Sequence, residues 1–290
     1  MNDLERIRSN AVGLKVDPQV LSLFSAEREE EMMIPGRNEA IHVYVFYPRK
    51  AREIYPVYIN LHGGGFVKGY REQDTVYARN ICQNAECMVV DIDYRTAPEK
   101  RYPYALYEAY DVVKYLWDNA SEWKLDKKRF VLGGHSAGGN LTLGTALMAG
   151  KSKEFELAGI ICDYPAVDLV KDPAEKRFGD DPTVRPSVSD ARKYNDWYIA
   201  LELRKESTAS PMYAADEELA LLPPVLMITA GHDTLGEEAE RLVYRMLEAG
   251  VTVLAKRVLE AEHGFIVRRK KGFEKGEELI FAFLRNIFEQ

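Results

Sequence analysis

The chain has 290 residues, enough for one large α/β domain or two small ones with a sizeable core. Its 46% hydrophobic and 29% charged content is ordinary for a soluble globular protein, and the formal net charge of -7 leaves no electrostatic footprint for a nucleic-acid partner. No apolar run reaches the roughly 18 residues that would span a membrane. The charged start "MNDLERIRSN" lacks the apolar stretch of a secretory signal, so a cytoplasmic protein is expected. Cys82, Cys87 and Cys162 form an odd set without metal-type spacing, and they read as small core residues in a reducing compartment.

Residues 1 to about 27 read as polar helix with one weak apolar face of Leu14, Val16, Val20, Leu21 and Phe24. "EMMIPGRNEAIHVYVFYP" reads as a hairpin, with turn chemistry at Pro35 to Asn38. The runs "VYINL", "CMVVDIDY", "RFVLGG", "LAGIICDYP", "PPVLMITAG" and "TVLAKRVL" are short apolar strands. Helical periodicity marks "YALYEAYDVVKYLWDNA", Ala137 to Met148, "GEEAERLVYRMLEAG" with a closing Gly250, and "FEKGEELIFAFLRNIFEQ". Strands alternating with helices predict an α/β fold, a mostly parallel sheet covered on both faces. Residues 168 to 210, polar and rich in Asp and Pro, look like an insertion over that sheet. No internal repeat or low-complexity tract is present.

One serine, Ser136, sits among glycines in "VLGGHSAGGN". A Walker-type phosphate loop needs Lys and Ser/Thr after its last glycine, but Gly139 and Asn140 follow Gly138, and no register supplies a dinucleotide fingerprint. Gly134-x-Ser136-x-Gly138 between a strand and a helix instead fits a nucleophile elbow, whose sharp turn demands small neighbours two positions away. The turn lifts Oγ above the carboxyl edge of the sheet, at a helix N-terminus that favours negative charge.

A nucleophilic serine needs a base, an orienting acid and an oxyanion hole. Among five histidines, His263 is the best base, in the loop "EAEHGF" after the last strand. Asp233 is the best acid, just after "PPVLMITAG" and ahead of His263 in the order this class of site requires. Glu237 and Glu238 are rivals, but they fall in a first helical turn where carboxylates are ordinary dipole partners. His42 reads as structural, and His135 as a poor base because neighbours on an elbow diverge. "HGGGF", from His62 to Phe66, exposes backbone N–H groups that can meet an oxyanion, worth about 3 kcal/mol per donor. A further donor is the N–H of Ala137.

"HGGGF", "DYRTAPE", "GHSAGGN", "SPMYA", "LPPVLMITAGHDTL" and "EAGVTV" with "HGF" fall in one order, and from about residue 30 the chain resembles the hormone-sensitive-lipase family of α/β-hydrolase esterases. The resemblance implies an α/β-hydrolase fold with a small helical cap and a triad of Ser136, Asp233 and His263. It also implies that Gly64, Gly65 and Ala137 supply the oxyanion N–H groups and that "DYRTAPE" is a structural loop near the site. The cap would be built from residues 1–27 and about 168–210, with residues 28–290 forming the hydrolase domain. A homodimer through the edge strand is implied as well. Two positions depart from the family pattern: His135 stands where Asp is usual, and Thr234 where Pro usually follows the acid.

The expected function is hydrolysis of small carboxylic esters without metal or organic cofactor, with an amidase, formamidase or peptidase on the same triad as the enzymic alternative and a non-catalytic receptor as the other. Phe66, Tyr164 and Phe265 are expected substrate contacts and, with Tyr70 and Tyr94, should narrow the pocket toward short acyl groups.

Overall fold

The computed structural model describes residues 2–12, 16–179 and 181–289. Eight strands form one sheet: β1 (Arg28–Ile34), β2 (Ile41–Tyr47), β3 (Tyr55–Leu61), β4 (Met88–Asp93), β5 (Leu125–His135), β6 (Gly159–Asp163), β7 (Val225–His232) and β8 (Val253–Glu262). Their order is β1-β2-β4-β3-β5-β6-β7-β8. The β1–β2 hairpin and the β2–β4 pair are antiparallel, and all other pairs are parallel. The helices described are α1 (Asp3–Val12), α2 (Pro18–Leu21), α3 (Glu72–Ala85), α4 (Tyr104–Asp118), α5 (Ala137–Ser152), α6 (Val188–Tyr198), α7 (Asp216–Leu219), α8 (Gly236–Glu248) and α9 (Phe273–Phe288).

The strands read as continuous apolar runs because both faces are covered. In β3, Val57, Ile59 and Leu61 pack with α4, α5 and α8, while Tyr58 points to the α3–α9 side. In β7, Val225 and Met227 share the first core and Leu226 and Ile228 the second. This is the two-residue alternation of a pleated strand. Each such side chain contributes about 1.5–3 kcal/mol of burial. Helix α5 has almost no solvent face, which is why its sequence is apolar and small all round. A Cβ at Gly144 would come within 2.5 Å of the Thr208 carbonyl oxygen.

Cys82, Cys87 and Cys162 are free and buried. The N-terminal segment departs from its expected stripe. Ile7, buried in α1, and Leu4 make its apolar contacts, α2 buries no residue, and Leu14 lies outside the described residues. Helix α1 is held by Arg8, which donates to the carbonyls of Val67 and Ala97 and pairs with Glu99 at 2.6 Å. Among the described residues no helix is long and apolar enough to cross a membrane.

Candidate active site

Ser136 begins where β5 turns into α5. Its backbone stands at φ +58°, ψ −115°, a region that costs a non-glycine residue about 1–3 kcal/mol. Backbone hydrogen bonds hold it there: Ser136 N–H donates to the Asp163 carbonyl at 2.8 Å, and its own carbonyl accepts from Asn140 N–H at 3.1 Å. The flanking glycines are required by β3 as well as by the turn. A Cβ at Gly138 would sit 1.9 Å from the Leu61 carbonyl oxygen, and one at Gly134 would sit 2.7 Å from the same atom. No side chain fits where the elbow presses on the end of β3.

Strand register brings the other two groups alongside. β7 and β8 run parallel with His232 opposite Glu262, so Asp233 and His263 leave adjacent strands together. A bulge precedes that pair, where a Cβ at Gly231 would lie 2.1 Å from the Leu259 carbonyl oxygen. His263 Nε2 lies 2.9 Å from Ser136 Oγ, and Nδ1 lies 2.8 Å from Asp233 Oδ2. Asp233 is buried, and its Oδ1 accepts from the Leu235 N–H at 2.9 Å. An ionised Asp233 can only accept, so Nδ1 carries the proton and Nε2 is left to accept from the serine hydroxyl.

The rival carboxylates are committed elsewhere. Glu237 pairs with Arg241 at 2.5 Å and Glu262 with Lys270 at 2.7 Å. Glu238 is buried; it accepts from the Val167 N–H at 2.9 Å and pairs with Lys176 at 2.5 Å. Burial pushes its carboxyl upward, and Lys176 opposes that.

The glycine loop after β3 adopts left-handed geometry at Gly64 (φ +136°) and Gly65 (φ +62°). A Cβ at Gly65 would also meet the Tyr194 ring at 2.6 Å. Gly63 N–H is taken by His135 Nε2 at 2.9 Å. Among the described residues nothing accepts from the N–H of Gly64 or Gly65. Ala137 N–H is the first of α5, one of the donors that a helix leaves unpaired. Gly64, Gly65, Ser136, Ala137 and His263 all line one cavity of about 270 Å³. Tyr94 supports the loop from behind, stacking on His62 at 4.1 Å and donating to its carbonyl at 2.7 Å, while Ala97 N–H donates to the Phe66 carbonyl. These contacts give "DYRTAPE" a physical role.

His135 also lines the cavity, and its ring belongs to a buried polar cluster with Gly63 and Asp74. Its Nε2 faces both the Gly63 N–H and Asp74 Oδ1, at 3.2 Å; the first needs a lone pair and the second a proton, so the ring satisfies one at a time. Burial pushes the His135 pKa down, against the pull of Asp74. Burial opposes ionisation of Asp74, but Arg71 and the His135 bond overcome it and hold the carboxyl at about 2. Asp163, at the end of β6, is pushed up to about 7 by burial, and the Tyr77 hydroxyl, which donates to its carboxyl at 3.3 Å, only partly offsets this.

Of the expected substrate contacts, Phe66 and Tyr164 line the cavity, the former stacked on Tyr198 at 3.7 Å. Phe265 does not. Its ring is fully buried against Tyr164 on the α9 side, because the turn after His263 directs it into the second core. Tyr70 and Tyr94 also stand outside the lining, Tyr70 being stacked on Tyr44 at 4.3 Å. The wall that sequence reasoning missed is one face of α6, Asp190, Ala191, Tyr194 and Asn195, with Pro173, Lys176, Arg185 and Pro186 from the same insertion. Its only sequence signal is the i, i+4 spacing of Asp190 with Tyr194 and of Ala191 with Asn195, and nothing in that spacing says what the face meets.

The strand order, the elbow and the edge on which the three side chains meet define the α/β-hydrolase class of fold. Residues 58–267 match the family described as alpha/beta hydrolase fold, and the chain belongs to that family, on the esterase side that its motifs resemble. It is 30% identical over 264 residues to an arylesterase of Saccharolobus solfataricus, covering 89% of this chain and 83% of that protein. It is 29% identical over 267 residues to the carboxylesterase NlhH of Mycobacterium tuberculosis, covering 91% and 82%. The solved esterase of Pyrobaculum calidifontis superposes with a TM-score of 0.91 at 29% identity, covering 99% of this chain and 94% of that one.

Proposed function

We propose that this chain is a serine carboxylesterase acting on small, short-chain acyl esters. One observation carries the reading: the continuous hydrogen-bond chain from Ser136 Oγ through His263 to buried Asp233, set on a left-handed elbow. Ser136 Oγ adds to the ester carbonyl as His263 Nε2 takes the hydroxyl proton. The oxyanion is met by the N–H groups of Gly64, Gly65 and Ala137. Collapse of the tetrahedral adduct breaks the bond to the alcohol, which leaves with the proton from His263. Water then repeats the sequence on the acyl-enzyme, releasing the acid and restoring Ser136. Asp233 keeps the proton on Nδ1 and stabilises the imidazolium as it forms. These steps use only the chain's own groups and water.

Residues 1–27 and about 168–210 act as the cap over a hydrolase domain of residues 28–290. Arg6 of α1 reaches Asp190 of α6 at 3.4 Å, which ties the two pieces together. Phe66, Tyr164 and Tyr194 confine the acyl group. Each buried CH₂ adds about 0.8 kcal/mol until the wall is met, so kcat/KM peaks at acyl chains of roughly two to six carbons. Strand β8 leaves Leu254 and Leu259 exposed at the sheet edge, the surface through which a homodimer would form. A fluorophosphonate probe tests the core of the reading: it labels one serine, and Ser136→Ala removes both label and turnover of 4-nitrophenyl butyrate. A labelled peptide elsewhere overturns the assignment, and a rate maximum at octanoate or beyond overturns the chain-length limit.

A further inference from the structure

The cavity carries charge that the hydrolytic steps do not use. Five cationic side chains line it, Lys68, Arg71, Lys176, Arg185 and Arg268, against one carboxylate, Asp190. The whole chain has a net charge of -7, so this excess is local. Two of the cations are balanced from behind the wall, Lys176 by Glu238 at 2.5 Å and Arg71 by buried Asp74 at 3.5 Å. Asp190 is itself engaged by Arg6. Among the described residues, Lys68, Arg185 and Arg268 have no carboxylate within ion-pair distance.

Lys68 and Arg268 flank the reacting groups. Lys68 follows the glycine loop, its N–H donating to the Gly64 carbonyl at 3.0 Å and its Nζ standing 5.3 Å from the Tyr194 ring centroid. Arg268 folds back over the residue after His263, its Nε 3.3 Å from where a Cβ at Gly264 would stand. Burial, reinforced by Arg71 and Arg268, lowers the Lys68 pKa to about 8. A cation half withdrawn from water beside other cations is held at a cost that a bound anion relieves.

We propose that the substrates of this cavity are esters that carry an anionic group of their own, and that Lys68 and Arg268 bind that group while Ser136 meets the ester carbonyl. The inference rests on the esterase reading and adds to it the charge of the substrate. Carboxylate and phosphate share the chemistry that lysine and arginine recognise.

Two esters of one acyl length test it, 4-nitrophenyl hexanoate and mono-4-nitrophenyl hexanedioate, which differ by a methyl group against a terminal carboxylate. At low salt the ratio of kcat/KM, singly anionic ester over neutral, is expected at about tenfold, as for one charge-assisted contact. Added salt lowers the ratio by screening. Lys68→Met and Arg268→Gln each bring it toward one, and Lys68→Arg, which keeps the charge, retains it. Competition against the neutral ester by free hexanedioate or by inorganic phosphate names the anion. A wild-type ratio at or below one, with hexanoate turned over and neither anion competing, overturns the proposal and leaves the esterase reading standing. Failure to hydrolyse either ester, with no fluorophosphonate label on Ser136, removes the esterase reading beneath it.

Discussion

The reacting edge and the wall that faces it are built by different rules. At the edge, backbone meets backbone: the elbow presses on Leu61, Gly231 presses on Leu259, and Asp233 and His263 leave paired strands side by side. Those contacts admit one residue type at each place. Across the cavity, α6 and the segment before it present side chains to other side chains, Asp190 to Arg6 and Lys176 to Glu238. There the same wall could be made with many sequences. Backbone constraint makes a site permanent, and side-chain contact makes it particular.

The contrast can be broken at the edge first. Asp233→Asn leaves the fold in place, because the amide oxygen still accepts from Leu235 N–H, but it takes away the acceptor that keeps the proton on His263 Nδ1. The expected loss in kcat is about 10⁴-fold. Glu237→Gln, on an exposed pair, should stay within about twofold, in line with the small worth of surface salt bridges. Steady-state rates with unchanged circular dichroism decide it, and near-full activity of Asp233→Asn sinks the assignment.

Gly138→Ala attacks the framework itself. A methyl group placed 1.9 Å from a carbonyl oxygen forces β3 and α5 apart, and a stability loss of about 4 kcal/mol or more is expected in urea titration. A variant of normal stability would mean that the elbow relaxes without cost.

On the wall, Glu238→Gln keeps shape and strands the Lys176 ammonium without its counter-charge. The cost expected for breaking a buried pair is about 3 kcal/mol. The loosening should fall on residues 168 to 210, read as earlier proteolytic cleavage there. Cleavage confined to other segments would sever the proposed tie.

The smallest effect tests the floor beneath the serine. Asp163 has a folded pKa of about 7, above its unfolded value of about 3.8, so the native state holds a proton that the unfolded chain has released. Stability therefore falls as pH rises between about 4 and 7 and levels off above that. Asp163→Asn removes this slope, and its melting temperature should gain on the wild type at pH 8 relative to pH 5. Parallel curves for the two proteins would show that Asp163 is ionised throughout.

The same division explains what could be read from the letters. Gly134, Ser136, Gly138, the glycines after His62 and the order of Asp233 before His263 were legible because backbone geometry permits few alternatives; the hairpin followed from the turn residues Pro35 to Asn38, and the parallel strands from short apolar runs alternating with helices. Phe265 was misjudged because the letters place it beside His263 without saying that the turn sends its ring into the opposite core. Tyr70 and Tyr94 were drawn toward the cavity by nearness in sequence, although one stacks on Tyr44 and the other buttresses His62. The facing wall was beyond reach because Lys176 and Glu238 meet only through the tertiary fold, with no local pattern linking them.

Asp233 and His263 are thirty residues apart along the chain and one strand apart across the sheet. The first distance is cheap to alter, since doubling the length of a flexible connection costs only about 0.6 kcal/mol. The second is not, because a one-residue slip of β8 would turn His263 to the opposite face. Insertions are therefore tolerable in the turn from Ala249 to Thr252 and ruinous between Val258 and Glu262. What this geometry must keep is the alignment of two neighbouring strands, while the count of residues between Asp233 and His263 is free to change.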